Sequence, residues 1–248
     1  MPPMKKFLCL AAVLLALPAL AGEAEIRQAL KVKFPNMKVE GVQPAPLAGL
    51  FEVRILSQEG PQILYTDAQA SYFVVNASII EAKSGRNLTE ERIQKLTAIE
   101  FSALPLDLAV KVQRGDGRRV LAMFSDPYCP YCRRLEQSLL KIDDVTIYVF
   151  MYPVIRPDKA DHSRAVWCAP DRAKAWLDLA AAETPKVPAG GAGCDNPVNK
   201  VLELGRSLHI TGTPTLFFAN GERASGGMEV GRLRAKLDDI SRQAVRKN

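Results

Sequence analysis

Two cysteines separated by two residues, Cys129 and Cys132, are the part of this sequence best suited to chemistry. A thiolate attacks a disulfide sulfur, and a second thiol beside it can then break the mixed disulfide so formed. A ring closed over only Pro130 and Tyr131 is strained, adds little chain-entropy stabilisation and suits a bond that is made and broken. Of the other three cysteines, Cys9 falls in an N-terminal apolar run, while Cys168 and Cys194 would close a long loop, the arrangement that stabilises more. The pairing expected is therefore a redox-active Cys129–Cys132 and a structural Cys168–Cys194. A four-cysteine zinc site competes with this reading, but its second pair is too widely spaced, and His162 and His209 are not at ligand spacing. No metal and no organic cofactor are expected, and both histidines are assigned packing or surface roles.

The elements around the pair give it a position. Val120–Phe124 reads as a buried strand, Ser125–Tyr128 as a loop, and a helix runs on through Arg133–Leu140. Cys129 then stands at a helix N-terminus, where unpaired backbone N–H groups and the positive end of the dipole favour a thiolate. Cys132 lies about one turn deeper and is expected to be the less exposed of the two. Arg133 and Arg134 add positive charge nearby. Further on, Gly212-Thr213-Pro214-Thr215 leads into a buried strand over Thr215–Phe218. Proline at a strand start removes a ladder donor. A cis Thr213–Pro214 bond would explain its presence, and a trans turn proline is the alternative.

Residues 106–248 read as an α/β domain. It has a second buried strand at Val145–Met151, a helix-rich stretch over 160–182, a Pro/Gly-rich loop at Pro185–Gly193, a helix over Asn196–His209, a turn at Asn220-Gly221 and a last helix from about Leu233. Residues 22–86 read as a small α+β unit with a helix over Glu23–Phe34. Its strands are expected at Val39–Val42, Leu50–Leu56, Ile63–Thr66 and Ser71–Val75, with a short one at Ile79–Ala82. Between the two, residues 87–105 read as a linker helix that opens near Asn87 and stops at Pro105; a helix packed into one domain is the alternative.

The chain has 248 residues, 48% hydrophobic and 24% charged, which is ordinary globular composition. Its formal charge of +6 comes from scattered Lys and Arg, so no nucleic-acid partner is expected. Residues 1–21 carry Lys5 and Lys6, an apolar run over Phe7–Leu17 too short to span a bilayer comfortably, and the small-x-small site Ala19-Leu20-Ala21. That is the pattern of a signal peptide cleaved near Ala21, with an uncleaved anchor as the alternative. The rest is expected to be soluble and exported to a bacterial periplasm.

Phe124-Ser125-Asp126-Pro127-Tyr128-Cys129-Pro130-Tyr131-Cys132, with Gly212-Thr213-Pro214-Thr215-Leu216 downstream, resembles the DsbC/DsbG family of periplasmic disulfide isomerases. The resemblance extends over nearly all the chain beyond residue 21. It implies a thioredoxin-like fold with a helical insertion, preceded by a small α+β (cystatin-like) dimerisation domain and a linker helix. It also implies a V-shaped homodimer with its active sites facing a central cleft. By motif position, Cys129 matches the attacking cysteine, Cys132 the resolving one, and Thr213-Pro214 the cis-proline pair. Thr213, Pro214, Pro130 and Tyr131 are then expected to meet substrate, and Cys168 and Cys194 resemble the family's structural disulfide. Pro-Tyr between the active cysteines is closer to DsbG, whereas the second disulfide points to DsbC.

The partners implied are misfolded or misoxidised exported proteins and a DsbD-like membrane reductase that supplies electrons. The function expected is isomerisation of wrongly paired disulfides, with chaperone activity. The rival readings are a DsbG-like reductase of sulfenylated cysteines and a chaperone whose redox chemistry is secondary; a DsbA-like oxidase would leave the N-terminal unit unexplained. Thioredoxin itself has a buried acid six residues before its first active cysteine. Met123 stands there in this chain, so deprotonation of Cys132 must use water or another group.

Overall fold

The computed structural model of the protein describes residues 18–57, 60–182, 184–189 and 191–247. Contacts divide the chain into two units. Among the described residues, one holds 18–57 with Gln62–Leu88; the other holds 60–61, the first two residues of the third strand, and those from Thr89 onward.

In the first unit, helix α1 (Pro18–Lys33) precedes a four-stranded sheet in sequential order: β1 (Lys38–Pro44), β2 (Phe51–Ser57), β3 (Gly60–Thr66) and β4 (Phe73–Val74). Ile26 and Leu30 stand one helical turn apart and are fully buried with Val42, Phe51, Val53, Ile55 and Leu64. The short strand expected at Ile79–Ala82 is reduced to a single bridge between Ile80 and Asn87. Residues 1–17 of the expected signal peptide lie outside the described residues, and α1 begins at Pro18, ahead of the expected cleavage site. Among the described residues no helix is long and apolar enough to cross a membrane.

The linker helix is shorter than the sequence suggests. Helix α2 covers Leu88–Thr97, not 87–105, and two 3-10 turns follow at Phe101–Ala103 and Leu106–Leu108. The helix stops because the next residues find better partners in the second unit. The Ile99 N–H donates to Gly221 O, and Leu104 is buried with Ala122, Phe124 and Phe217 while Ile99 and Phe101 pack against that cluster.

The second unit is a mixed sheet in the order β6-β5-β7-β8, with strands β5 (Val110–Ser125), β6 (Val145–Met151), β7 (Thr215–Phe218) and β8 (Arg223–Ser225). β5 starts ten residues before the strand expected at Val120. Its first stretch pairs with β6 in falling register, Val110 with Val149 down to Arg114 with Val145. Gly115 and Gly117 then take positive φ, where an L side chain is strained, and turn the chain. From Arg119 opposite Val145 to Ser125 opposite Met151, β5 runs parallel to β6. β7 pairs antiparallel to β5, with Phe124 opposite Thr215.

Alternation along β5 feeds two cores. Leu121 and Met123 face a cluster with Leu135 and Leu139 of α3 (Pro130–Leu139), Trp176 and Leu179 of α5 (Arg172–Ala180), and Leu233 and Leu237 of α7 (Val230–Lys247). Ala122 and Phe124 face the other cluster, with Val201 of α6 (Val198–Ser207). α4 (Ala160–Cys168), α5 and α6 lie between β6 and β7 in the chain and form the helical insertion.

Candidate active site

The end of β5 is held by aromatic packing. Phe124 stacks on Phe150 with ring centroids 4.7 Å apart and meets Tyr152 and Phe217 edge-on. Rings in these arrangements add to the stabilisation from area burial alone. The residue after Phe124 is Ser125, so the chain leaves the sheet from a fixed point.

Asp126 shapes the loop that follows. It is fully buried, and its two carboxylate oxygens accept from the backbone N–H groups of Tyr128 (2.8 Å) and Ile155 (2.7 Å). A buried carboxylate persists where such donors replace water. Its carbonyl also accepts from Cys129 N at 3.0 Å. The chain therefore reaches Cys129 in an extended conformation (φ −79°, ψ 121°), the N-cap of α3 with Pro130 at the first helical position. Proline suits that position because its missing N–H would be unpaired there in any case.

The pairing of β5 with β7 brings the second segment to the sulfur. With Phe124 opposite Thr215, Thr213 and Pro214 stand beside the end of β5. The Thr213–Pro214 bond is cis. The Cys129 thiol donates to the Thr213 carbonyl oxygen at 3.2 Å. Both cysteines are free, and both are buried, Cys129 at 3% exposure and Cys132 at 1%. The expected contrast in exposure is therefore slight, because the Thr213–Pro214 segment covers Cys129. Pro130 and Tyr131 are exposed, with the Arg134 guanidinium 5.3 Å from the centre of the Tyr131 ring; Thr213 is half-buried and Pro214 buried.

Burial pushes the Cys132 thiol up to about 12. The hydroxyls of Ser125 and Thr213 and the Asp126 backbone act in the opposite direction, favouring the anion. Neither hydroxyl closes a hydrogen bond of regular geometry with any partner. Cys132 is thus held as a thiol until something removes its proton. Met123, where thioredoxin has its acid, is buried in the apolar core.

The burial of three residues near the pair escaped the sequence reading. Ser125 and Asp126 are buried although they follow the strand as polar loop residues. Glu136 lies one turn beyond Cys132 on α3 and accepts from Trp176 Nε1 at 2.7 Å. Burial pushes its carboxyl up to about 7, against the pull of that donor and of Arg114. The signal was there, since Glu136 sits between Leu135 and Leu139 in the apolar stripe of the helix. His162, to which the sequence reading assigns a packing or surface role, is hydrogen-bonded through Nδ1 to the hydroxyl of Tyr128, one residue from Cys129.

Away from the pair, Cys168 and Cys194 are joined by a disulfide with S–S 2.04 Å and Cα atoms 5.7 Å apart. The bond ties the end of α4 to the loop before α6. Among the described residues no group of three or more His, Cys, Asp or Glu side chains could hold a metal.

Two free cysteines two residues apart, at a helix start beside a cis-proline segment, suit thiol–disulfide exchange. Comparison with known proteins agrees. Residues 106–241 match the thioredoxin-like domain family, and residues 18–90 match the disulfide bond isomerase protein N-terminal domain. A probable thiol:disulfide interchange protein DsbC from Bordetella pertussis is 41% identical over 213 residues, covering 86% of this chain and 73% of that protein. The thiol:disulfide interchange protein DsbC of Escherichia coli is 26% identical over 226 residues, covering 89% of each. The crystal structure of a disulfide interchange protein from Neisseria gonorrhoeae superposes with a TM-score of 0.53 at 44% identity, over 56% of this chain and 99% of that one. The chain belongs to the DsbC family of thiol:disulfide interchange proteins.

Proposed function

We propose that this protein reshuffles wrongly paired disulfides, with Cys129 as the attacking sulfur and Cys132 as the resolving one. The observation that carries this reading is the position of Cys129, at the N-cap of α3 with its sulfur against the Thr213 carbonyl and a protonated thiol three residues behind it. The Cys129 thiolate attacks one sulfur of a substrate disulfide; a mixed disulfide forms and the other substrate sulfur leaves as a thiolate. That thiolate, or another in the same substrate, attacks the mixed disulfide and releases Cys129, so electrons are only redistributed within the substrate. Alternatively, Cys132 attacks Cys129, and the substrate leaves reduced while the enzyme leaves oxidised. The exposed Pro130 and Tyr131, with Thr213 and Pro214, form the surface that meets the substrate chain, and backbone groups of the Thr213–Pro214 segment hold that chain extended. The Cys168–Cys194 bond is structural.

The same reading sets the enzyme in the bacterial periplasm, after cleavage of residues 1–21 near Ala21. Residues 22–86 serve as the dimerisation domain, 87–105 as the linker and 106–248 as the catalytic domain. The homodimer encloses a cleft that also holds unfolded chains, which is the chaperone activity. A DsbD-like membrane reductase returns the pair to the dithiol state. Refolding of scrambled ribonuclease tests the central claim. Activity should appear with the reduced protein and vanish with Cys129→Ala, while suppression of aggregation survives. Unscrambling that persists in Cys129→Ala would overturn it.

A further inference from the structure

The residue before the attacking cysteine is held from outside its own loop. The Tyr128 N–H donates to one oxygen of the Asp126 carboxylate at 2.8 Å, and the Cys129 N–H donates to the Asp126 carbonyl oxygen at 3.0 Å. These bonds fix the backbone of the turn but not the phenol. Among the described residues the Tyr128 ring belongs to neither apolar cluster of this unit, so core packing does not place it. His162 does. Its Nδ1 is hydrogen-bonded to the Tyr128 hydroxyl, and the two ring centroids lie 5.7 Å apart with the planes tilted by 52°.

His162 stands in the first turn of α4, 34 residues further along the chain. The last residue of the same helix, Cys168, is joined to Cys194. The insertion thus reaches the loop of the reacting sulfur through one side-chain pair. Both members are half-buried, so the pair is reachable from solvent. Cys129, the next residue after Tyr128, caps nothing on α3 with its side chain.

Disulfide exchange needs the attacking sulfur in line with the bond that breaks, so the direction of approach matters. Misplacing reacting groups by about 1 Å can cost about a hundredfold. A small disulfide turns freely and finds that line unaided. A disulfide inside a polypeptide is oriented by the surface on which its flanking chain rests.

We propose that His162 is a positioning residue: by fixing the Tyr128 ring it gives the substrate chain a rigid surface beside Cys129, and so favours polypeptide disulfides over small ones. The inference rests on the mixed-disulfide reading above and concerns its first step. The Cys129 thiolate attacks one sulfur of the substrate disulfide. The Cys129–substrate bond forms as the substrate S–S bond breaks, and the other substrate sulfur leaves with the electron pair and takes up a proton from water. His162 neither gives nor takes a proton in this step.

The test isolates attack in a Cys132→Ala background of the full chain. Rate constants are measured for 5,5′-dithiobis(2-nitrobenzoate), the small disulfide, and for a self-quenched peptide dimer joined by one disulfide. The ratio of the peptide rate to the small-disulfide rate should fall about fivefold in His162→Ala, the worth of one hydrogen bond. Tyr128→Phe, which keeps the ring and removes the hydroxyl, should lower the ratio equally. The double variant should be no lower than either single one, because the two residues act as one unit. An unchanged ratio in His162→Ala, or effects that multiply in the double variant, would overturn the role of His162. Absence of attack on both disulfides in the parent protein would instead overturn the mixed-disulfide reading itself.

Discussion

The sulfur of Cys129 lies 3.2 Å from the carbonyl oxygen of Thr213, although 84 residues separate the two in the chain. In the proposed mechanism a substrate disulfide reaches the sulfur at that junction and Cys132 resolves the adduct. Removing the resolving thiol should therefore leave substrates attached. In Cys132→Ala, adducts with disulfide-containing proteins should accumulate on non-reducing gels, with peptide mapping assigning every bond to Cys129. A variant that forms no adducts, or forms them elsewhere, would contradict the assignment of roles.

Burial holds Cys132 as a thiol, pushed up to about 12, and thiols alkylate far more slowly than thiolates. Iodoacetamide at neutral pH should label Cys129 and spare Cys132, with labelling of Cys132 appearing only as the pH is raised well above 9. Mass mapping of the reduced protein checks this. Equal labelling of the two at pH 7 would contradict the protection of Cys132.

Glu136 should make the fold sensitive to pH. Its carboxyl titrates near 4.5 in an unfolded chain and is pushed up to about 7 by burial. Between those values the folded protein holds a proton that the unfolded chain has lost, so this group's contribution declines as pH rises through the window and is level above it. The decline amounts to roughly 3 kcal/mol for a shift of this size. Glu136→Gln keeps an acceptor for Trp176 Nε1 and removes the charge, so the variant's stability should change less between pH 5 and 8 than the wild type's. Urea unfolding across that range measures it, and parallel pH profiles would refute the prediction.

The Cys168–Cys194 bond spans a sequence separation of 26. Closing a loop of that size stabilises by about 3–4 kcal/mol in the chain-entropy account. Replacing both cysteines with serine should lower unfolding stability by that order and leave attack by Cys129 on a model disulfide nearly unchanged, since the bond lies in the insertion rather than at the pair. Loss of the attack step in a variant that is still folded would tie the insertion to the chemistry.

Much of the second unit is legible in the sequence. Val145–Met151 and Thr215–Phe218 are strands at the bounds that their apolar runs suggest, and α3 begins where Pro130 follows the first cysteine. Continuous apolar runs mark buried strands, and proline at the first helical position is a local rule, so neither needs distant information. Other elements depend on distant partners. The opening stretch of β5, Val110–Arg114, is too charged to read as a buried strand and exists because β6 accepts it. Helix α2 reads as continuing to Pro105 and ends at Thr97 because Ile99 bonds Gly221 and Leu104 joins the second core.

The sequence by itself determined the order of elements, the two-residue spacing of the cysteine pair and the helix start beneath it, since these follow from local periodicity and from proline's missing donor. Tertiary structure alone decided what surrounds the sulfurs. Ser125, Asp126 and Glu136 are polar residues that read as surface, and only the approach of β7, the loop at Ile155 and α5 buries them. Burial is a property of what packs from elsewhere in the chain, and burial is what holds Cys132 as a thiol and lifts Glu136 toward neutrality.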